Sequence, residues 1–235
     1  MGTFGSPFFW WEILQKRIFV YVDGFNFYYG CIKGSPYKWF DLVKLGNRLM
    51  AGEGNLVKVK YFTAHVKEMG DPDRPIRQQT YWRALKACYG DEVEIIKGKF
   101  RIDPKPRRKA ILNSSGKYYA SDETIMIMDP KEKGSDVNLC VHLVNDGWKN
   151  LYDIALVISN DSDSAEAIKI TKSDCNKEIF LVNPSYRKKR HSARELRTIG
   201  IQRRNITKKL LEICQLPDPI PGTNIHKPKE WCENQ

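Results

Sequence analysis

Four aspartates pose the first chemical question in this sequence. Asp23 ends the apolar run RIFVYVD and opens VDGFN, Asp161 and Asp163 lie in NDSDS directly after ALVIS, and Asp136 follows Lys133 and Gly134 in EKGSDVNL. Carboxylates gathered without matching cations raise one another's pKa, so such a cluster is costly unless something positive lies among them. A hard divalent ion is the natural filler. Mg2+ or Mn2+ takes oxygen ligands, keeps several waters and is satisfied by a few carboxylates together with a substrate phosphate. An ion so held would polarise a phosphodiester and lower the pKa of bound water. The chemistry expected of these residues is phosphodiester hydrolysis, with Asp23 and Asp161 as direct ligands and Asp136 and Asp163 binding directly, through water, or orienting the attacking water. Asn26 would offer its amide to phosphate or a ligand water, and Lys133 would pair with the scissile phosphate. Each acid also has a structural reading. Asp163 with Glu166 fits a capping box, Asp136 suits the positive end of a helix, and Asp23 before Gly24 suits a turn.

The elements that would position these residues follow from apolar patterning. Strand-like runs occupy 17–23, 55–63, 93–97, 124–128, 154–159 and 178–182, and helical patterns occupy 40–50, 73–88, 135–148, 163–173 and 203–213. Strand alternating with helix predicts an α/β fold with a mainly parallel central sheet, whose ligands sit beyond the carboxyl ends of the strands. The segment 98–122 departs from this rhythm, with Asn-Ser-Ser-Gly between flanks able to pair, and is expected as a basic, hairpin-like insertion. The expected organisation is an N-terminal arm over 1–16, one main domain over 17–213 and an extended proline-rich tail over 214–235.

With 235 residues, 41% of them hydrophobic, the chain has enough material for one substantial core. Its net charge of +11 points to a polyanionic partner, nucleic acid first. Arg187, Lys188, Lys189 and Arg190 form one basic run, and Arg107 and Arg108 belong to a second that is interleaved with Phe100 and followed by Tyr118 and Tyr119. The six cysteines show neither CxxC pairs nor zinc spacing, which suggests a reducing, cytoplasmic setting. FFWWEIL at 8–14 is too short to span a bilayer, so no membrane partner is expected. The histidines have no nucleophile beside them, and neither GxGxxG nor a P-loop occurs.

VDGFN, EKGSDVNL and LVISNDSDSAEAIK, in that order across roughly residues 17–200, resemble the NYN domain proteins, the LabA/DUF88-type branch of the PIN-like nucleases. The resemblance implies a Rossmann-like three-layer α/β/α sandwich and metal-dependent nuclease activity, usually on RNA. It carries Asp23, Asp136, Asp161 and Asp163 onto the family's acidic positions, Asn26 onto its amide, Ser159 onto its small hydroxyl and Lys133 onto its lysine. SNDSDS departs from the glycine-containing turn of many relatives, and the insertion and tail lie outside a minimal domain, so specificity is assigned to them. The leading expectation is an Mg2+- or Mn2+-dependent endoribonuclease acting on RNA ahead of DNA, with homo-oligomerisation left open. Behind it stand a silent RNA-binding adaptor and then a small-molecule phosphatase or oxidoreductase, ranked last because the first strand ends in DGF without a DxD.

Overall fold

The structure is a computed structural model describing residues 15–186 and 193–232. β1 (Arg17–Asp23) is buried at every position after Arg17. Ile18, Val20 and Val22 enter one apolar cluster while Phe19 and Tyr21 enter another, the alternation of a strand covered on both faces. The chain continues through α1 (Gly24–Phe27), a π-helical segment over Tyr28–Ile32, α2 (Leu42–Leu49), β2 (Asn55–Ala64) and α3 (Arg74–Tyr89). Two long strands follow, β3 (Val93–Leu112) and β4 (Tyr118–Lys133). Then come α4 (Ser135–Trp148), β5 (Ile154–Ile158), α5 (Ala165–Ser173), β6 (Glu178–Asn183), α6 (Arg194–Arg197), β7 (Gln202–Asn205) and α7 (Lys208–Ile213).

The sheet runs in the order β4-β3-β2-β1-β5-β6-β7. Every pairing is parallel except β3 with β4, so the expected α/β class with a mainly parallel sheet is observed. The chain leaves β1 toward β2 on one side and later returns to its other side with β5. That reversal opens a crevice at the carboxyl ends, the usual place for a ligand in such sheets. Register brings Asp23 opposite Phe62 and Val22 opposite Ile158, so the residues just after β1, β2 and β5 share one edge.

Several sequence expectations change. The stretch 203–213 begins as a strand: Gln202–Asn205 pairs with Phe180–Asn183, and a helix starts only after Thr207, whose Oγ1 accepts from the Leu210 N–H at 3.2 Å. Asp163 does not cap α5. A 3-10 turn over Ser162–Ser164 intervenes, with Asp161 as its cap. The short runs 93–97 and 124–128 are pieces of a much longer hairpin, closed where Asn113 Oδ1 accepts from the Ser115 and Lys117 N–H groups at 3.0 and 2.9 Å. The proline-rich tail lies against the core through buried Leu216 and Ile220. Residues 1–14 of the N-terminal arm lie outside the described residues.

A buried polar knot fixes α4 to the sheet. Lys60 Nζ lies 2.6 Å from Asp146 Oδ2, the Tyr21 hydroxyl donates to the same oxygen at 2.8 Å, and His142 Nδ1 is 3.2 Å from the ammonium. Both charged side chains are less than a tenth exposed. Removing one member strands the other in apolar surroundings. Asp146→Ala is expected to destabilise the fold by about 3–5 kcal/mol in urea denaturation, with Lys60→Met in the same chain recovering most of the loss.

Candidate functional site

Asp23 ends β1 because a short turn must be built there. Its Oδ1 accepts from the Asn26 N–H at 3.0 Å, capping α1, and its Oδ2 accepts from Asn26 Nδ2 and Ser159 Oγ, each at 2.9 Å. Gly24 is dictated by space, since a Cβ there would lie 2.6 Å from the Phe62 carbonyl oxygen. Ser159 is itself oriented by the Asp161 N–H, which donates to its Oγ at 3.1 Å, leaving the hydroxyl proton for Asp23. Burial pushes the Asp23 pKa up, the bonds from Asn26 and Ser159 pull it back, and the negative charge of Asp161 raises it further.

The other acids meet beside this turn. Asp136, Asp161 and Asp163 each bring one carboxylate oxygen to within 4.8 Å of the others. Gly134, at φ 90°, turns the chain into α4, and Ser135 Oγ donates to the Thr63 carbonyl at 3.0 Å, which pins the start of the helix to the end of β2. Asp136 accepts from the Val137 N–H at 2.8 Å and Asp161 from the Asp163 N–H at 3.0 Å, so two of the three use backbone donors. Cys140, half-buried in α4, feels the whole group. Burial first, then Asp136, Asp161, Asp163 and Asp23, push its thiol up to about 11.

On the β2 side of Asp23 opens a cavity of about 250 Å³. Tyr28, Tyr61, Tyr81 and Trp231 give it aromatic walls, and Lys38, Arg74 and Arg77 bring positive charge. Burial pushes the Tyr61 hydroxyl up to about 12, a hydrogen bond with Thr63 pulls it back, and the Asp23 charge raises it further. The Tyr28 hydroxyl is also raised by burial, while Arg74 and Arg77 pull it back. Gln78 donates to the Ala64 carbonyl and accepts from the Val66 N–H, both at 3.0 Å. Arg77 is ion-paired with Asp71. The Arg74 guanidinium donates to the Met69 sulfur at 3.7 Å, and among the described residues neither Arg74 nor Lys38 forms an ion pair.

The sequence-predicted residues therefore divide. Asp136, Asp161 and Asp163 converge, and Asp23 stands next to them with both oxygens already hydrogen-bonded. Asn26, through its N–H and Nδ2, and Ser159, through its hydroxyl, serve Asp23. Lys133 is exposed at the end of β4, opposite Lys99. Arg107 and Arg108 lie far out on the hairpin, about 27 Å along the strand from Lys99 at ~3.4 Å per residue. There Arg107 pairs with Asp129 at 2.9 Å. Arg187, Lys188, Lys189 and Arg190 fall outside the described residues. The cavity residues were missed. Their signal was the aromatic cluster FNFYYG directly after Asp23 and the arginines of DRPIRQQTYW, which sequence reading treated only as a helix.

A thiol held near 11 stays protonated at pH 8. Iodoacetamide should thus alkylate Cys140 at least about ten-fold more slowly than an ordinary thiol of pKa near 8.5. Asp136→Asn should speed that reaction, as followed by mass spectrometry of the Cys140 peptide.

No family model matches the chain. It is 30% identical over 239 residues to 6-hydroxy-3-succinoylpyridine 3-monooxygenase HspA of Pseudomonas putida, a match covering 94% of this chain and 76% of the relative. A solved structure of VPA0982, a protein of unknown function from Vibrio parahaemolyticus, is similar with a TM-score of 0.49 and 16% identity, over 83% of this chain and 94% of that one. The monooxygenase relative overturns the nuclease expectation, and with it Mg2+ or Mn2+ as the cofactor; RNA as the partner finds no support. The physical reason for the misreading is visible in the turn itself, where hydrogen-bond donors on Asn26, Ser159, Val137 and Asp163 answer carboxylates for which an ion had been invoked. Among the described residues, no helix is long and apolar enough to cross a membrane. The chain belongs to the family of 6-hydroxy-3-succinoylpyridine 3-monooxygenase HspA.

Proposed function

We propose that this protein is an oxidoreductase acting on a small aromatic molecule that carries a carboxylate, bound in the cavity between α1 and α3. The observation that carries the reading is an aromatic-walled space with two cations, Arg74 and Lys38, that have no ion-pair partner among the described residues. Aromatic walls favour a flat ring by stacking and edge contacts. A guanidinium with donors to spare matches a carboxylate in a two-pronged fashion. The relative is named for a hydroxylated pyridine bearing a succinoyl chain, which combines those two parts. The scaffold we assign is the Rossmann-like three-layer α/β/α arrangement of the PIN-like, NYN type, a reading supported by the division of alternate β1 residues between two apolar clusters.

Monooxygenation places one atom of O2 in the product and reduces the other to water, so it consumes two electrons from a donor. The donor set at the carboxyl edge does not fit the phosphates of a nucleotide cofactor. Asp136, Asp161 and Asp163 would repel them, Asp136 from the first turn of α4, the helix whose N-terminus lies at this edge. No step is therefore routed through such a group. What the chain supplies is an aromatic wall, an anchor for the acid and, through Tyr61, a phenol that stays protonated at neutral pH.

Titration calorimetry with 6-hydroxy-3-succinoylpyridine and with 3-acetyl-6-hydroxypyridine, which lacks the acid, tests the reading. Arg74→Ala should weaken the acid about ten-fold or more, in line with ~1.5–3 kcal/mol for a charged hydrogen bond, and leave the neutral ring unaffected. Equal affinity for both compounds in the unaltered protein, or failure of the acid to raise oxygen uptake above background when a diffusible reductant supplies the two electrons, would count against it.

A further inference from the structure

We infer that the β3–β4 arm is a dimerisation element, pairing along the free edge of β4 with the same edge of a second copy of this chain. β3 rests on β2 only as far as Gly98, opposite Ala64. From Lys99 onward its sheet partner is β4, out to Leu112 opposite Tyr118, a ribbon of about 45 Å at ~3.4 Å per residue. A two-stranded ribbon is marginal in water by itself. This one is also apolar where it should be polar, since Ile125, Met126, Ile127 and Met128 are exposed in succession, Met126 and Met128 by 65% and 63%. Alternate residues point to opposite faces, so the strip is apolar on both.

The two edges of the ribbon are not equivalent. Pro104 and Pro106, opposite Met128 and Met126, give the β3 edge positions without an N–H. Proline within a strand sits where its nitrogen faces away from the ladder, so these residues blunt that edge against pairing. The β4 edge carries a single proline, Pro130, beyond the apolar strip, and ends the seven-stranded sheet. Among the described residues, nothing pairs with it.

A second copy suits this edge for reasons of charge. The strip Thr124–Met128 has no charge, and a two-fold image of the edge runs antiparallel to it. With the axis at Ile127, antiparallel pairing sets Met126 against Met128 and Glu123 against Lys131, each twice, with Ile125 facing Asp129 and Thr124 facing Pro130 between them. The like-charged pair, Asp122 against Glu132, falls at the margins, where screening is greatest. A polyanion would answer the net charge of +11 and leave the uncharged strip in water.

Sedimentation velocity of the full chain at micromolar concentration should give a species of twice 27.3 kDa. Ile127→Lys, which sets lysine against lysine on the axis, should give a monomer with unchanged circular dichroism. Glu123→Lys and Lys131→Glu should each raise the dissociation constant at least ten-fold, while an equimolar mixture of the two restores the dimer, because opposite charges then face each other on both sides of the axis. A monomeric unaltered chain, a dimer that survives Ile127→Lys, or a mixture no tighter than its components overturns the proposal. So does a monomer whose β4 amides resist hydrogen exchange, the result expected if residues 1–14 of the same chain cover the edge.

Discussion

The carboxylate of Asp23 has to be satisfied at the buried end of the central strand, and much of the site's form follows from that. It is 7% exposed and flanked by the parallel strands β2 and β5, so water cannot meet its needs. Three protein donors do so instead. Asn26 supplies two of them by folding the next residues into one helical turn, which forces Gly24 against the Phe62 carbonyl and sends Phe27 and Tyr28 toward the β2 side. Ser159 supplies the third and must itself accept from the Asp161 N–H. The acid is thereby shared between β1 and β5 at the place where the sheet reverses order. Replacing it with an apolar residue would leave Asn26 and Ser159 without their acceptor, and a buried unmade bond costs more than a made one gains.

The elements most legible in the sequence were those with strong apolar periodicity. Helix 135–148 is found with the bounds its pattern suggests, and β1 likewise, because each buries one continuous face or both faces of a strand. β7 was hidden because Gln202–Asn205 is polar and charged, an edge strand defined by its neighbour β6 more than by its own side chains. The hairpin was half legible. Its turn chemistry gave Asn113 away, while the length of its strands did not, since prolines and charges interrupt any periodic signal. Pairing in a ribbon is a backbone matter, and the backbone leaves little trace in composition.

The candidate site was legible as a set of acids and illegible as a cavity. Strand-end carboxylates are local in sequence, each marked by the apolar run before it. The cavity draws on α1, the end of β2, the start of α3 and the tail, segments separated by up to two hundred residues, and no spacing rule joins them. The same acids also invited an incomplete inference. Like charges do demand compensation, but hydrogen-bond donors provide part of it here, and the Asp23 carboxyl and Cys140 thiol, raised first by burial, are raised further by the neighbouring carboxylates. Repulsion alone therefore could not discriminate an ion-binding crevice from a hydrogen-bonded turn.

The tail shows how core and site share residues. Trp231 lies edge-on to Trp39 and to Tyr81, with ring centroids 6.2 and 6.4 Å away, and also lines the cavity. Trp39 donates its indole N–H to the Pro217 carbonyl at 2.9 Å, and Tyr81 donates its hydroxyl to the Phe40 carbonyl at 2.8 Å. Those two bonds satisfy the polar ends of the rings, so their apolar faces are free to pack. Pro217 and Trp231 both meet Trp39, so the segment between them folds back, through a turn in which the Ile220 N–H donates to the Ile225 carbonyl at 2.9 Å. Enclosure of the cavity on this side depends on the last described turn of the chain as well as on the strands that bear the acids.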